Sequence, residues 1–193
     1  MQAALLAATL HYAAAAGAGA QVYEELADSV RHSLSAALAD RSVPELAFRE
    51  REDAHRWLFE MSRRLEKRIP DRKLRLELLR TAHFEALRAG LDPQLVLGII
   101  EVESRFRKYA VSRAGARGYM QVMPFWARLI GTTEHNLFHL RTNLRYGCTI
   151  LRHYLDIENG NLFRALGRYN GSLGKAEYPN TVLRAWEGTW RYV

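Results

Sequence analysis

Apolar residues recur at helical spacing along most of this 193-residue chain, and proline, glycine and capping residues separate one periodic segment from the next. The pattern predicts a mainly α protein with little or no sheet. The predicted helices cover residues 22–39, 50–68, 71–89, a segment that begins at Pro93 and carries Glu101 and Glu103, then 125–130, 141–156, 162–169 and 180–192.

The first two predicted helices are amphipathic. In residues 22–39 the apolar positions run from Val22 to Leu38, and a break follows at residues 40–44. In residues 50–68 an apolar stripe faces a side rich in both charges, which we interpret as solvated and ion-paired, with a polymer-binding strip as the alternative. The stripe consists of Trp57, Leu58, Met61 and Leu65, and the charged side carries Arg49, Arg56, Arg63, Arg64 and Arg68.

Turn and cap residues predict where the third helix begins and ends and where the fourth helix begins. Asp71 can cap the third helix, and Gly90 suits the position just beyond its end. Asp92 and Pro93 form a favourable start for the fourth. The residues expected to face inward on the third helix are Leu74, Leu78, Ala82 and either Leu87 or Phe84.

The fourth helix carries two glutamates on different faces. Glu103 falls in register with Val96, Ile99 and Ile100, on an apolar face. Glu101 lies roughly 200° around the helix, where an ion pair with Arg105 four residues later is the simplest interpretation. A carboxyl on an apolar face has a raised pKa and can act as a general acid near neutral pH. The alternative for Glu103 is a structural carboxylate bound to backbone or to an arginine.

Net charge and cysteine content say less about the function than the glutamates of the fourth predicted helix do. The formal net charge is +7, which favours an anionic partner, namely nucleic acid, a membrane surface or an acidic envelope polymer, with ordinary solvated faces as the alternative. Because the chain has no compact basic tail and no basic-aromatic repeat, we do not expect nucleic-acid binding. The single cysteine, Cys148, falls on a predicted core stripe and excludes an intramolecular disulfide.

Residues 1–20 resemble an export signal. The segment is rich in alanine and leucine and lacks acidic residues, and Ala18-Gly19-Ala20 is a small-x-small cleavage pattern before Gln21. It lacks a Lys or Arg near Met1, so a plain N-terminal helix is the alternative. We expect a signal peptide over 1–20, a helical extension over 21–70 and a catalytic domain over 71–193.

The stretch after Glu101 carries several motifs at fixed offsets. They are Glu103-Ser104, Phe106, Ala110-Val111-Ser112, Gly115-Ala116-Arg117-Gly118 and Met120-Gln121-Val122-Met123-Pro124. Together they closely resemble the catalytic signature of lytic transglycosylases with a soluble-transglycosylase (SLT) domain, which are related to goose-type lysozyme. The resemblance covers about residues 83–180. It implies a lysozyme-like helical domain in which Glu103 is the catalytic acid.

The resemblance also implies a set of substrate-binding residues. Tyr169-Asn170 matches a Tyr-Asn pair of the family, although Gly171-Ser172 departs from the usual Ala-Gly that follows. In relatives this tyrosine points at the catalytic carboxyl or at the substrate N-acetyl group. A buried core tyrosine and a loop-turn serine are the alternatives for Tyr169 and Ser112. The implied substrate-binding residues are Ser104, Ser112, Tyr119, Gln121, Met123, Tyr169, Asn170 and Tyr178.

The activity implied is cleavage of the β-1,4 bond between N-acetylmuramic acid and N-acetylglucosamine without water, giving 1,6-anhydromuramyl products. Ordinary glycosidases use two carboxylates, whereas the signature offers one inward carboxylate. No metal or cofactor is implied, and His135 and His139 lack a His-Glu-x-x-His pattern. The rivals are a hydrolytic muramidase or chitinase-like glycosidase and a non-catalytic peptidoglycan-binding scaffold.

The expected partners follow from that activity. We expect peptidoglycan glycan strands as substrate and a periplasmic or cell-envelope location after export. We expect a monomer, and a cell-envelope protein complex is the protein partner we consider.

Overall fold

The computed structural model describes residues 21–39, 46–48 and 50–192. The expected signal peptide, the break at residues 40–44 and Arg49 lie outside the described residues. The helices are α1 (Asp28–Ala39), α2 (Arg51–Leu65), α3 (Arg72–Arg88), α4 (Pro93–Ser104), α5 (Pro124–Ile130), α6 (Leu140–Ile157), α7 (Leu162–Asn170) and α8 (Glu177–Arg184), and a π-helical turn over Ala185–Thr189 continues α8.

The mainly α prediction is confirmed. In the part of the chain that the structure describes there is no strand, and two isolated bridges, Val111 with Arg117 and Arg117 with Val122, stand in place of a sheet. None of the described helices is long and apolar enough to cross a membrane.

Helix α4 lies at the centre of the fold. Its residues from Leu95 to Ile100 are all buried, as the almost uniformly apolar sequence predicts. It packs against α3, α8 and the π-helical turn. The predicted cap is present, since the Asp92 carboxylate accepts from the backbone N–H groups of Gln94 and Leu95. A glutamate near the end of α4 is therefore held by a rigid, buried element.

The apolar stripe of α2 joins the same core. Trp57, Met61 and Leu65 are almost completely buried and belong to one hydrophobic cluster with residues of α3, α4 and α6. The charged side of α2 is ion-paired as expected, with Arg56 bound to Asp53 and with Arg63 bound to Glu60.

The start of α1 was predicted wrongly. The segment 21–27 is not helical, Val22 is 57% exposed, and the helix begins at Asp28. Tertiary contacts explain the difference, because Glu24 pairs with Arg168 and the Tyr23 ring meets the Phe125 ring edge-on at 5.6 Å between centroids. These contacts hold the segment in a non-helical path, although periodicity alone suggests a helix.

Two further helix predictions need correction. On α3, Leu74 and Leu87 are 55% and 41% exposed, and the inward face is carried by Leu78, Leu79 and Ala82. The last helix begins at Glu177, so that Pro179 lies within its first turn, where a proline costs no intrahelical hydrogen bond. The α-helix ends at Arg184, and residues 185–189 form the π-helical turn.

Candidate active site

Glu103 lies in the last turn of α4, one residue before the helix ends. The chain leaves the helix through Arg105 and Phe106, both of which have positive φ angles, 51° and 63°. Such angles are uncommon for non-glycine residues. Here burial of Phe106 against Trp190 holds the turn, with ring centroids 5.3 Å apart. The reversal directs the following loop back across the end of α4.

The Glu103 carboxyl is desolvated and bears one strong hydrogen bond. The Tyr178 hydroxyl donates to Glu103 Oε1 at 2.6 Å. Burial raises the pKa of Glu103 from 4.5 to about 8, while the hydrogen bond from Tyr178 acts in the opposite direction. The carboxyl consequently holds its proton at neutral pH, which is the state a general acid requires.

A second buried phenol lies beside the first. Tyr169, near the end of α7, donates its hydroxyl to the Met120 carbonyl at 2.7 Å. Burial and then the negative charge of Glu103 raise the pKa of Tyr169 well above its usual range, and they do the same for Tyr178. Both phenols therefore stay protonated. In this geometry Tyr178 contacts the acid, whereas the hydroxyl of Tyr169 supports the loop that carries Met120.

Glu101 is an ion-paired residue, but its predicted partner was wrong. Its carboxylate binds Arg68, which follows α2, and accepts from Trp190 Nε1 at 2.6 Å. Arg105 is exposed and sits at the left-handed end of α4, where its side chain cannot follow the helical i, i+4 geometry. Glu101 thus fastens α4 to the C-terminal segment and is separate from the site of Glu103.

The loop 105–123 is held against α6 by one asparagine. Asn143 Oδ1 accepts from the Met120 N–H at 2.8 Å, and Asn143 Nδ2 donates to the carbonyls of Arg117 and Leu137, each at 2.8 Å. Gly118 is required at the contact, because its φ is +76° and an added Cβ would lie 2.4 Å from Asn143 Nδ2. Asn143 therefore joins the loop to α6.

Gln121 and Met123 lie on the returning arm of this loop. Gln121 has a positive φ of 49°, and its side-chain amide donates to the carbonyls of Ala110 and Gly118. The backbone N–H of Met123 donates to Gln21 Oε1 at 3.2 Å. Gln21 is 4% exposed. Sequence reasoning missed Gln21 entirely, since its polar side chain fits no apolar pattern.

The remaining predicted binding residues differ in accessibility. Ser104 is 1% exposed, and its hydroxyl donates to the Ile100 carbonyl within α4, so its group is used by the helix itself. Ser112 accepts from the Ala116 N–H, which shapes the loop. Tyr119 lies in the loop and is largely buried. Asn170 is buried, and in the described part of the chain its Nδ2 has no hydrogen-bond partner.

The histidines and the cysteine do not join this site. His135 lies in a non-helical turn, and its Nδ1 is 2.7 Å from the Tyr146 hydroxyl. Across residues 21–39, 46–48 and 50–192, no group of three or more metal-ligating side chains comes together. Cys148 is fully buried, and burial raises the pKa of its thiol, as expected for a core residue.

The sequence is similar to several curated proteins. It is 35% identical over 102 residues to a transglycosylase of Enterobacteria phage PRD1, covering 49% of this chain and 37% of that protein. It is 39% identical over 115 residues to a membrane-bound lytic murein transglycosylase C of Histophilus somni, covering 51% and 31%. The counterpart from Actinobacillus pleuropneumoniae serotype 5b is 62% identical over 39 residues, or 20% and 11%. The chain thus spans little more than a third of these relatives at most.

The family comparison covers most of the site. Residues 80–181 match the family described as the transglycosylase SLT domain. This range is more than half of the chain and contains Glu103, both tyrosines that flank it and the loop that Asn143 holds. With that match and with the helical fold, the chain belongs to the transglycosylase SLT domain family.

Proposed function

We propose that this protein is a peptidoglycan lytic transglycosylase, which cleaves the bond between N-acetylmuramic acid and N-acetylglucosamine and releases 1,6-anhydromuramyl products. The observation that carries the proposal is the state of Glu103, a desolvated carboxyl with a pKa of about 8 held by Tyr178. Membership of the family and the names of the relatives support the same substrate.

Glu103 acts first as an acid. Its proton passes to the glycosidic oxygen as the bond to the muramic anomeric carbon breaks, and N-acetylglucosamine leaves as an alcohol. The muramic N-acetyl oxygen stabilises the positive charge that develops at the anomeric carbon. The carboxylate left behind remains hydrogen-bonded to Tyr178, so its charge is met by an existing donor at 2.6 Å.

Glu103 acts next as a base. It takes the proton of the muramic 6-hydroxyl while that oxygen forms its bond to the anomeric carbon, and the ring closes to the 1,6-anhydro sugar. The carboxyl regains its proton, and no water is consumed. A single carboxylate suffices for both steps, which agrees with Glu101 being occupied by Arg68 and Trp190.

The decisive experiment is product analysis. Purified protein is incubated with peptidoglycan sacculi, and the soluble products are separated and weighed by mass spectrometry. We expect anhydromuramyl products from the wild type and none from Glu103→Gln, since glutamine keeps the shape but cannot transfer the proton. Glu101→Gln is the matched control, with the same change two residues away on another face of the helix, and it should retain most activity.

Each rival predicts a different outcome. Products with a reducing muramic end, 18 mass units heavier because of the added water, would establish a hydrolytic muramidase. Binding to sacculi without any cleavage would establish a scaffold. Activity in Glu103→Gln at near the wild-type rate would remove Glu103 from the mechanism.

We also propose that the protein works in the cell envelope after export, with residues 1–20 removed. The support is the composition of that segment and the cleavage pattern before Gln21. Edman sequencing of protein from the periplasmic fraction should begin at or near Gln21. A cytoplasmic protein that keeps Met1 would overturn both parts.

A further inference from the structure

Positive charge is concentrated in one part of this chain. Between Glu103 and Glu134 there are six arginines and lysines and no aspartate or glutamate, while the whole chain has a net charge of +7. The rest of the chain is therefore almost balanced. Five of the six cations lie in residues 105–117, named here the basic loop, and are Arg105, Arg107, Lys108, Arg113 and Arg117.

The cations of the basic loop differ from the other arginines of the protein. All five are exposed, and none forms an ion pair with a carboxylate of the described residues. On α2, by contrast, Arg56 pairs with Asp53 and both Arg63 and Arg64 pair with Glu60. The basic loop is thus no ordinary surface of mixed charge, because it lacks the opposite sign.

Two of the cations are ordered by aromatic rings. Lys108 Nζ lies 5.2 Å from the Tyr109 ring centroid, and Arg117 Cζ lies 5.9 Å from the Phe138 ring centroid. The two rings are 5.8 Å apart, and Tyr109 is 71% exposed. Stacking on a ring restricts a flexible cation before any ligand arrives, which lowers the entropy lost on binding.

The basic loop is close to Glu103 in sequence, but its cations do not perturb the Glu103 carboxyl. The loop begins two residues after Glu103, and its Ala110 carbonyl accepts from Gln121 Nε2 at 3.2 Å. The pKa of Glu103 is nevertheless set by burial and by Tyr178, not by a nearby cation. The cations therefore lie close to Glu103 along the chain without setting the pKa of its carboxyl.

We propose that the basic loop binds the carboxylates of the peptide stems, so that this enzyme selects glycan strands that carry peptides. The inference rests on the proposed function. In peptidoglycan the stems branch from the muramic residues, hence from one of the two sugars at the cleaved bond, and they carry free carboxylates. A surface with cations of one sign is complementary to such a substituent and would gain nothing from an uncharged sugar.

The test compares two matched triple variants. In the loop variant, Lys108, Arg113 and Arg117 are each changed to glutamine. In the control variant the same change is made at Lys67, Arg72 and Lys73, three exposed cations near the turn between α2 and α3. Each protein acts on native sacculi, on sacculi whose carboxylates are amidated with carbodiimide and ammonia, and on strands stripped of stems by an amidase.

We expect the cations of the basic loop to lower the KM for strands that carry peptide stems. The wild type and the control variant should show a KM roughly tenfold lower on native sacculi than on amidated or stripped material, since three exposed ion contacts each contribute only a little. This difference should shrink with rising salt, because exposed charges are screened. The loop variant should show a similar KM on all three substrates, with kcat unchanged.

Several outcomes would overturn the proposal. One is an equal KM for the wild type on native and stripped strands, and another is a control variant that behaves as the loop variant does. A loop variant that loses binding to anionic lipid vesicles, yet keeps its KM on sacculi, would assign the loop to a membrane surface. If no protein released anhydromuramyl products from any substrate, the proposed function itself would fail, which is a separate result.

Discussion

At the scale of single residues, the proton on Glu103 links stability to chemistry. Burial raises the pKa of this carboxyl from 4.5 to about 8, so the folded protein binds a proton that the unfolded chain has already lost. The associated stability is complete below about pH 4.5 and is lost progressively as the pH rises to about 8. The protein thus carries a carboxyl that is costly to ionise in the folded state.

Glu103→Gln should remove this pH dependence. Below about pH 4.5 the variant and the wild type should be equally stable, because the wild-type carboxyl is protonated in both states. Above that pH the variant should become the more stable by up to about 1.4 kcal/mol per pH unit, and the difference should level off above about pH 8. Urea unfolding across a pH series measures it. A variant that is strongly destabilised at every pH would instead indicate a structural carboxylate held charged by a partner.

Tyr178→Phe should shift the working range of the acid. The Tyr178 hydroxyl lowers the pKa of Glu103, so its removal should raise that pKa further. The alkaline limb of the activity profile, which falls as Glu103 ionises, should move to higher pH. Tyr146→Phe is the control, since its hydroxyl lies 2.7 Å from His135 Nδ1, away from Glu103. An unchanged limb in Tyr178→Phe would show that the hydrogen bond does not tune the acid.

At the scale of elements, the loop 105–123 depends on one side chain of α6. Asn143 uses its carbonyl and both amide hydrogens on the backbone of Met120, Arg117 and Leu137. No strand pairing replaces these bonds in the described loop, which has two isolated bridges. Asn143 is therefore one of the contacts that position Gln121 and Met123.

Asn143→Ala should loosen the loop and weaken catalysis together. Two buried backbone groups and one partly buried group would lose their partner, each at a cost of about 1 kcal/mol or more. We expect a stability loss of about 3 kcal/mol and a lower kcat/KM on sacculi, measured by urea unfolding and by product release. Asn136→Ala, which removes an exposed bond to the Phe138 N–H, is the control and should change both little. Full activity in a destabilised Asn143→Ala would separate the loop from catalysis.

Much of this element structure follows from sequence, and the exceptions have a physical pattern. Asp92, Asp71 and Gly90 define helix ends because caps act within a few residues of the chain. The start of α1 was misplaced because Glu24 and Tyr23 are held by residues far along the chain. Sequence patterns reflect interactions between neighbouring residues, whereas these contacts join distant residues and are seen only in the folded structure.

The site, too, has residues that the sequence predicts and residues that only the fold reveals. Helical periodicity places Glu103 on an apolar face, and the resemblance to the family singles it out as the expected acid. Tyr178 was expected from the resemblance, and the structure places it on that acid. The partners of Glu101, Trp190 and Arg68, and the contact of Gln21 with Met123 join distant residues and leave no periodic signal.

At the scale of the whole molecule, a buried ionic cluster joins three helices. Glu85 on α3 is fully buried and binds Arg88 at 2.7 Å and Arg145 of α6 at 2.9 Å. The same arginines donate to the carbonyls of Ala37 and Leu38, the last turn of α1. Arginines that cap a helix C-terminus are also favourable for its dipole. The cluster attaches α1 to the two helices that support α4 and the loop.

Glu85→Ala should be the most destabilising of the substitutions considered. It leaves Arg88 and Arg145 buried without their carboxylate, and breaking a buried pair in this way costs about 3–5 kcal/mol. Glu60→Ala is the matched control, because Glu60 binds Arg63 and Arg64 at the partly exposed surface of α2 and should cost no more than about 1 kcal/mol. Urea unfolding compares the two, and amide hydrogen exchange reports α1 separately. If the cluster holds α1 in place, exchange in residues 28–39 should rise in Glu85→Ala by a larger factor than in α4. Equal losses for Glu85→Ala and Glu60→Ala would show that the buried cluster stabilises the fold no more than a surface pair does.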